Sequence, residues 1–161
     1  MMADVEFKIQ GVDALTARMR ALPVELRKKP ARSALGKAAK VIREQAQANA
    51  RQLDDPETGR AIADNIVQRL RSRYNRRTGD VMISVGVATE KGRIPKGNPD
   101  TGPKGNTPHW HLLELGTESM AAQPFLRPAA EAKAGSAINE FAAGLDQALT
   151  RLTKRLAKQG K

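Results

Sequence analysis

Cysteine is absent from this 161-residue chain, which excludes a disulfide framework and every thiolate metal site. That suits a reducing cytoplasm without requiring one. Aromatic residues are nearly as scarce, with three Phe, one Trp and one Tyr making up 3% of the chain. Hydrophobic residues reach 40%, but alanine dominates them, so a core of Ala, Leu, Val and Ile should be thin. Small side chains suit close helix packing or an oligomer whose neighbours complete the core, and the oligomer is favoured. No apolar run approaches the roughly 20 residues needed to cross a bilayer. The N-terminal Met-Met-Ala-Asp-Val-Glu-Phe-Lys carries no apolar stretch of the kind a signal peptide needs. A soluble protein without membrane contact is expected. The length fits a single domain over residues 1–161 that buries roughly two-thirds of its unfolded surface.

Acidic residues are under-represented, 17 against 28 Lys plus Arg, for a net charge of +11. Such a balance points to a polyanion, to an acidic partner surface, or simply to a basic solvated exterior, and it is silent about fold. Catalytic patterns are missing too: there is no Gly-x-Ser-x-Gly elbow, no Walker loop and no Gly-x-Gly-x-x-Gly after a strand. Asp54 and Asp55 stand beside Pro56, where turn chemistry accounts for them. The two histidines, His109 and His111, would share one side of a strand near Glu114. No third His or Cys completes a usual zinc set, and on a helix, the favoured reading, the rings diverge. No enzyme, cofactor or metal is expected.

What is present reads as an α+β pattern. Val5, Phe7 and Ile9 alternate with Asp4, Glu6, Lys8 and Gln10, which predicts a half-buried strand over residues 4–10. Val12, Leu15, Met19 and Leu22 recur at helical spacing up to Pro23. A longer helix follows from Val24, with Leu35, Ala38, Ala39, Ile42 and Ala46 on one stripe, fading near Asn49 to Leu53. Pro30 either kinks it or opens a fresh helix. A helical turn from Arg60 should lead into a strand from Ile66 to Tyr74. Gly79-Asp80 then makes a turn, and Val81, Ile83, Val85 and Val87 alternate as the partner strand of a hairpin. Arg69, Arg71 and Arg73 would line one face of that hairpin, with Arg76 and Arg77 beyond. Such a row can contact DNA phosphates or an acidic partner, or it is a solvated strand face. Only Tyr74 is near enough to stack on a base, so a sequence-reading module is not expected.

Residues 89–108 carry glycines and prolines with almost no apolar side chain, which predicts an extended loop that projects and orders against a partner subunit. From Ala129 to the C-terminus, Ile138, Phe141, Leu145, Leu149, Leu152 and Leu156 form a helical stripe. Gly135 and Gly144 each weaken that helix by about 1 kcal/mol relative to Ala. The stripe is expected to dock on the sheet or a neighbouring subunit rather than lie on a membrane. The expected architecture is a small antiparallel sheet packed by a long helix and a C-terminal helix, with a long Gly/Pro-rich loop.

The densest segment runs from His109 to Ala130 and includes the only Trp, Trp110. Gly116 should supply a positive-φ cap that lets the chain reverse. Pro124 and Pro128 should stiffen the approach to the last helix, with Phe125 and Leu126 anchored in the core and Arg127 available to pair with Glu114.

Leu113-Glu114-Leu115-Gly116-Thr117 followed by Gln123-Pro124-Phe125-Leu126-Arg127-Pro128-Ala129 resembles the signature of a bacteriophage family. Its members are the head–tail connector, or tail-completion, proteins of lambda-like long-tailed phages. In that family an aromatic-rich short helix ends in a similar Glu-aromatic-Gly-Thr and is followed by a similar Pro-Phe-Leu-Arg-Pro. Thr58-Gly59-Arg60 is similar to the family's Thr-Gly-x-Leu segment, and the Gly-Val-Asp-Ala-Leu opening is similar as well. Leu115 stands where Phe is usual and Ala61 where Leu is expected, which implies local repacking. The resemblance implies a structural virion protein of the neck or tail top, assembled in the host cytoplasm and devoid of catalytic residues. It implies a homo-oligomeric ring of roughly six copies, or alternatively roughly twelve. Its partners would be neighbouring neck and tail proteins (connector or stopper, tail terminator, tail tube), with non-specific contact to genomic DNA in the channel. A non-specific basic nucleic-acid-binding protein is the alternative.

Overall fold

The computed structural model describes residues 12–90, 97, 100–102 and 104–159. The strand expected over residues 4–10 lies outside the described residues. In chain order the elements are α1 (Val12–Arg20), α2 (Val24–Arg51), α3 (Ile62–Asn65), β1 (Ile66–Leu70), α4 (Ser72–Thr78), β2 (Ile83–Val87), α5 (Trp110–Leu115) and α6 (Leu126–Gln159). The fold is α+β: β1 and β2 make a two-stranded antiparallel sheet beside a long helix and a C-terminal helix. Ala88 N–H donates to the Asn65 carbonyl at 2.8 Å and Arg71 N–H to the Met82 carbonyl at 3.0 Å, which fixes the register at both ends.

The expected hairpin is corrected at its connection. β1 stops at Leu70 rather than Tyr74, and the strands are joined by helix α4 instead of a short turn. The cause is local: Ser-Arg-Tyr-Asn-Arg-Arg-Thr offers no alternating apolar face to bury. Asn75, by contrast, ties the helix back, its side-chain oxygen accepting the Met82 N–H at 2.9 Å. Gly79 closes α4 at φ 85° with its N–H on the Asn75 carbonyl.

The chain divides into two compact units, one of residues 1–38, 70–83 and 135–161, the other of residues 39–69 and 84–134. In the first, Ala34, Leu145 and Leu149 form the core, with Leu15, Met19, Leu22 and Phe141 packed against it. Amphipathic spacing on α1 and α6 brings these side chains to one side. The Arg18 guanidinium bonds the Asp146 carboxylate and the Thr150 hydroxyl, joining α1 to α6. Arg27 donates to the Leu22 and Arg20 carbonyls at 2.9 Å, satisfying two orphan acceptors at the end of α1. Pro30 sits buried inside one continuous helix, so the fresh-helix alternative falls away. Gly144 does not break α6; its bare backbone faces α2, and a Cβ there would meet the Lys37 Cδ at 3.1 Å and the Ala34 Cα at 3.3 Å.

In the second unit Ala46, Ala50, Ile62, Ala63, Ile66, Leu113, Phe125 and Ala129 make the core, flanked by Leu53, Val85, Val87, Trp110, Met120 and Leu126. Small residues on α2 let larger ones approach its backbone. The 89–108 segment departs from expectation where it is described. Residues 100–102 and 104–108 do not project; they fold back on their own unit. Gly102 N–H donates to the Gly59 carbonyl at 2.7 Å, and the Asn65 amide donates to the Gly105 carbonyl at 2.6 Å and the Thr107 hydroxyl at 3.0 Å. Polar bonds to buried Asn65 supply the anchorage that apolar side chains do not.

Two helical glycines should respond in opposite directions. Gly36 has nothing within 4 Å of where a Cβ would stand, so Gly36→Ala should raise unfolding stability by about 1 kcal/mol. Gly144→Leu should lower it by about 2 kcal/mol through overpacking against α2. Denaturant titrations of both variants check the pair.

Candidate functional site

The Trp110-to-Pro128 segment forms a corner held by one carboxylate. Glu114 lies on α5 and is only 7% exposed. Its Oε2 accepts the Phe125 N–H at 2.7 Å and the Leu126 N–H at 2.9 Å, and its Oε1 accepts the Arg127 N–H at 2.9 Å. A helix begins with four N–H groups that have no partner in the helix itself. Here three of them bond to Glu114, and the fourth position is Pro128, which has no N–H. The negative carboxylate also faces the positive end of the α6 dipole. Helix α6 consequently starts at Leu126, three positions before the expected Ala129. The expected pairing of Arg127 with Glu114 is corrected as well: they meet through the Arg127 backbone, and its side chain is exposed.

Phe125, fully buried, fixes the other arm of the corner. Its carbonyl accepts the Asn49 side-chain amide at 3.1 Å. Its ring meets Trp110 edge to face at 6.5 Å and 72°. Gly116 ends α5 at φ 76° and ψ 177° with its N–H on the Leu112 carbonyl at 2.8 Å. Few residues other than glycine occupy that region, and a Cβ there would stand 2.8 Å from the Ala122 nitrogen. Thr117 then makes the turn, its N–H bonded to the Met120 carbonyl at 2.9 Å and its hydroxyl accepting the Ser119 N–H at 3.3 Å. Around this buried frame, Leu115, Thr117, Gln123, Pro124 and Arg127 are exposed.

A cleft of about 520 Å³ adjoins the corner, lined by the apolar Trp110, Leu113 and Met120 and by the polar Arg60, Asp100 and His109. Burial pushes the Asp100 carboxyl above its ordinary range, while the His109 and Arg60 charges pull the other way. The Thr58-Gly59-Arg60 segment forms its rim. The Thr58 hydroxyl bonds the Asp55 carboxylate at 2.9 Å, which with the Glu57 N–H holds Asp55 below the usual carboxylate range. Gly59 at φ 71° lies so close to the Asp100 carbonyl that a Cβ would stand 2.9 Å away. His111 Nδ1 meets the Pro108 carbonyl at 3.0 Å. Among the described residues, no group of three or more His, Asp or Glu is arranged to hold a metal ion.

The arginine row does not survive as drawn. Arg69 is on β1, Arg71 precedes α4, and Arg73, Arg76 and Arg77 are on α4. All five are exposed, but the period-two face required Arg71 and Arg73 to continue a strand, and they do not. Sequence reasoning also passed over Asn49 and Asn65, whose amides anchor the Phe125 carbonyl and the 105–107 segment. An amide in an otherwise apolar helical stripe was the available signal.

Removing the capping carboxylate should be costly. Glu114→Ala leaves three N–H groups without acceptors and should cost roughly 3 kcal/mol, with Glu114→Gln costing about half as much because one acceptor oxygen remains. Gly116→Ala should cost about 2 kcal/mol from backbone strain. Urea unfolding read by Trp110 fluorescence measures each.

No curated protein and no solved structure matches the chain significantly. Residues 13–116 match the family described as "Bacteriophage HK97-gp10, putative tail-component". The matched range takes in α5 as far as Gly116, so the Glu114 half of the corner lies within it and the Phe125–Pro128 half beyond it. With well over half of its residues in that match, the chain belongs to the HK97-gp10-like family of phage tail components.

Proposed function

We propose that this tail component works as a ring at the neck or tail top, joining the head-side connector to the tail. The ring would hold roughly six copies, or alternatively roughly twelve, since identical subunits close by rotational symmetry. It would assemble in the host cytoplasm and remain in the virion, between a connector or stopper ring and the tail terminator or tail tube. Its work is done by surfaces, with no bond made or broken on it.

The observation that carries this reading is the rim of the Glu114 corner. Leu115 is 67% exposed, a large apolar side chain in water on a frame that cannot easily move. Rigid placement lowers the ordering cost of binding, and an exposed aliphatic beside Thr117, Gln123, Pro124 and Arg127 has the make-up of a protein contact. The exposed Arg71, Arg73, Arg76 and Arg77 would meet an acidic surface of a neighbouring ring.

A phage carrying a deletion of this gene should accumulate DNA-filled heads and finished tails that stay apart in negative-stain micrographs. Normal numbers of joined particles would overturn the reading. Leu115→Asp should leave the thermal midpoint of the isolated chain within a few degrees of the parent. It should nonetheless reduce joined particles about tenfold or more in a plaque-complementation assay.

A further inference from the structure

The charge of the chain is strongly segregated. The first unit holds seventeen basic residues against seven acidic ones, and the second holds eleven against ten. Nearly all of the net charge of +11 therefore belongs to the first unit. Within it, the early turns of α2 and the late turns of α6 enclose a cleft of about 120 Å³. Lys29, Arg151 and Arg155 line it together with Ser33, Pro30 and Leu152. Among the described residues, no carboxylate lines the cleft. Among the described residues, none of the three cations takes part in an ion pair.

Three like charges around one small cavity repel one another, and an oxyanion seated among them would turn that repulsion into attraction. Arginine forks with a hydroxyl beside them match the tetrahedral oxygens of a phosphate. We propose that this cleft seats a backbone phosphate of duplex DNA, in a non-specific contact. The cationic surface does not end at the cleft: Lys154 and Lys158 continue it along α6, and Lys28 and Arg32 flank it on α2, all exposed. Helical rise puts Arg151 and Lys158 roughly 10 Å apart along the axis, about three nucleotide steps of one strand. A lone carboxylate would occupy the cleft and leave that extension unused, so charge complementarity favours a repeating polyanion over an acidic side chain. The only Trp lies in the other unit, and among the described residues no aromatic ring lines the cleft. Duplex backbone therefore fits better than stacked single-stranded bases. This inference stands apart from the neck ring, because it concerns the isolated chain.

Fluorescence anisotropy with a labelled 30-base-pair duplex of arbitrary sequence tests it, in a salt series on the full chain. The Lys29→Ser/Arg151→Ser/Arg155→Ser variant should bind roughly tenfold or more weakly. Its log–log salt slope should fall by about 2 to 3, since each lost phosphate contact contributes about 0.9. A charge-matched control in the second unit, Arg51→Ser/Lys104→Ser/Lys133→Ser, should keep most of the affinity. Circular dichroism confirms that both variants fold, and if the triple variant does not, the single Arg155→Glu variant is read in its place. Equal losses in the two variants, absence of duplex binding at low salt, or displacement of the duplex by polyglutamate of equal charge would each overturn the proposal.

Discussion

The contact between the Glu114 carboxylate and the first N–H groups of α6 fixes the corner where the last helix begins. One side chain on a six-residue helix holds the start of a 34-residue one. It does so through backbone atoms, so the arrangement is indifferent to which side chains follow on the exposed face. A buried carboxylate without partners would be severely destabilising. With three N–H donors and a helix dipole facing it, the same charge becomes the reason two segments meet at one angle. The proline at the fourth position removes the donor that Glu114 does not reach. Phe125, Trp110 and Asn49 then close the corner from behind.

Much of this was readable from the residues alone. Gly116 had to adopt a positive φ because the apolar run stopped there and the chain had to reverse. Phe125 is internal, as expected of a large apolar ring at the entry to the last helix. The stripes on α1, α2 and α6 followed from spacing. Other parts were not readable, for physical reasons. Glu114 and Arg127 are opposite in charge and close in a motif, which suggests a salt bridge. A helix terminus competes for the same carboxylate, and backbone donors are already in place without ordering a long side chain. The Arg69–Arg73 alternation mimicked a strand face, yet alternation in polar residues alone carries no burial to enforce it. Helix α4 formed instead, held by Asn75 and Gly79. Residues 100–102 and 104–108 lack apolar anchors, and the positions of Asn65 and Gly59 in three dimensions explain why they pack.

The two units also differ in how they are held. The second concentrates specific polar bonds at Asn49, Asn65, Asp54 and Glu114, each aimed at backbone groups. The first relies on a small aliphatic core and on the close approach of α6 to α2 at Gly144, with the Lys37 ammonium reaching the Gln147 amide oxygen at 2.8 Å. Polar bonds to backbone fix geometry closely, whereas an alanine-rich helix contact tolerates change on its outer surface.

The insertion of α4 between paired strands has a consequence for what the scaffold tolerates. Bonds at Asn65–Ala88 and Arg71–Met82 set the strand register on both sides of it, so the inserted turns are not needed to align the sheet. Arginines there can be lost, gained or inverted in sign with little effect on the scaffold. The charge carried on that connection is therefore set independently of the sheet that supports it.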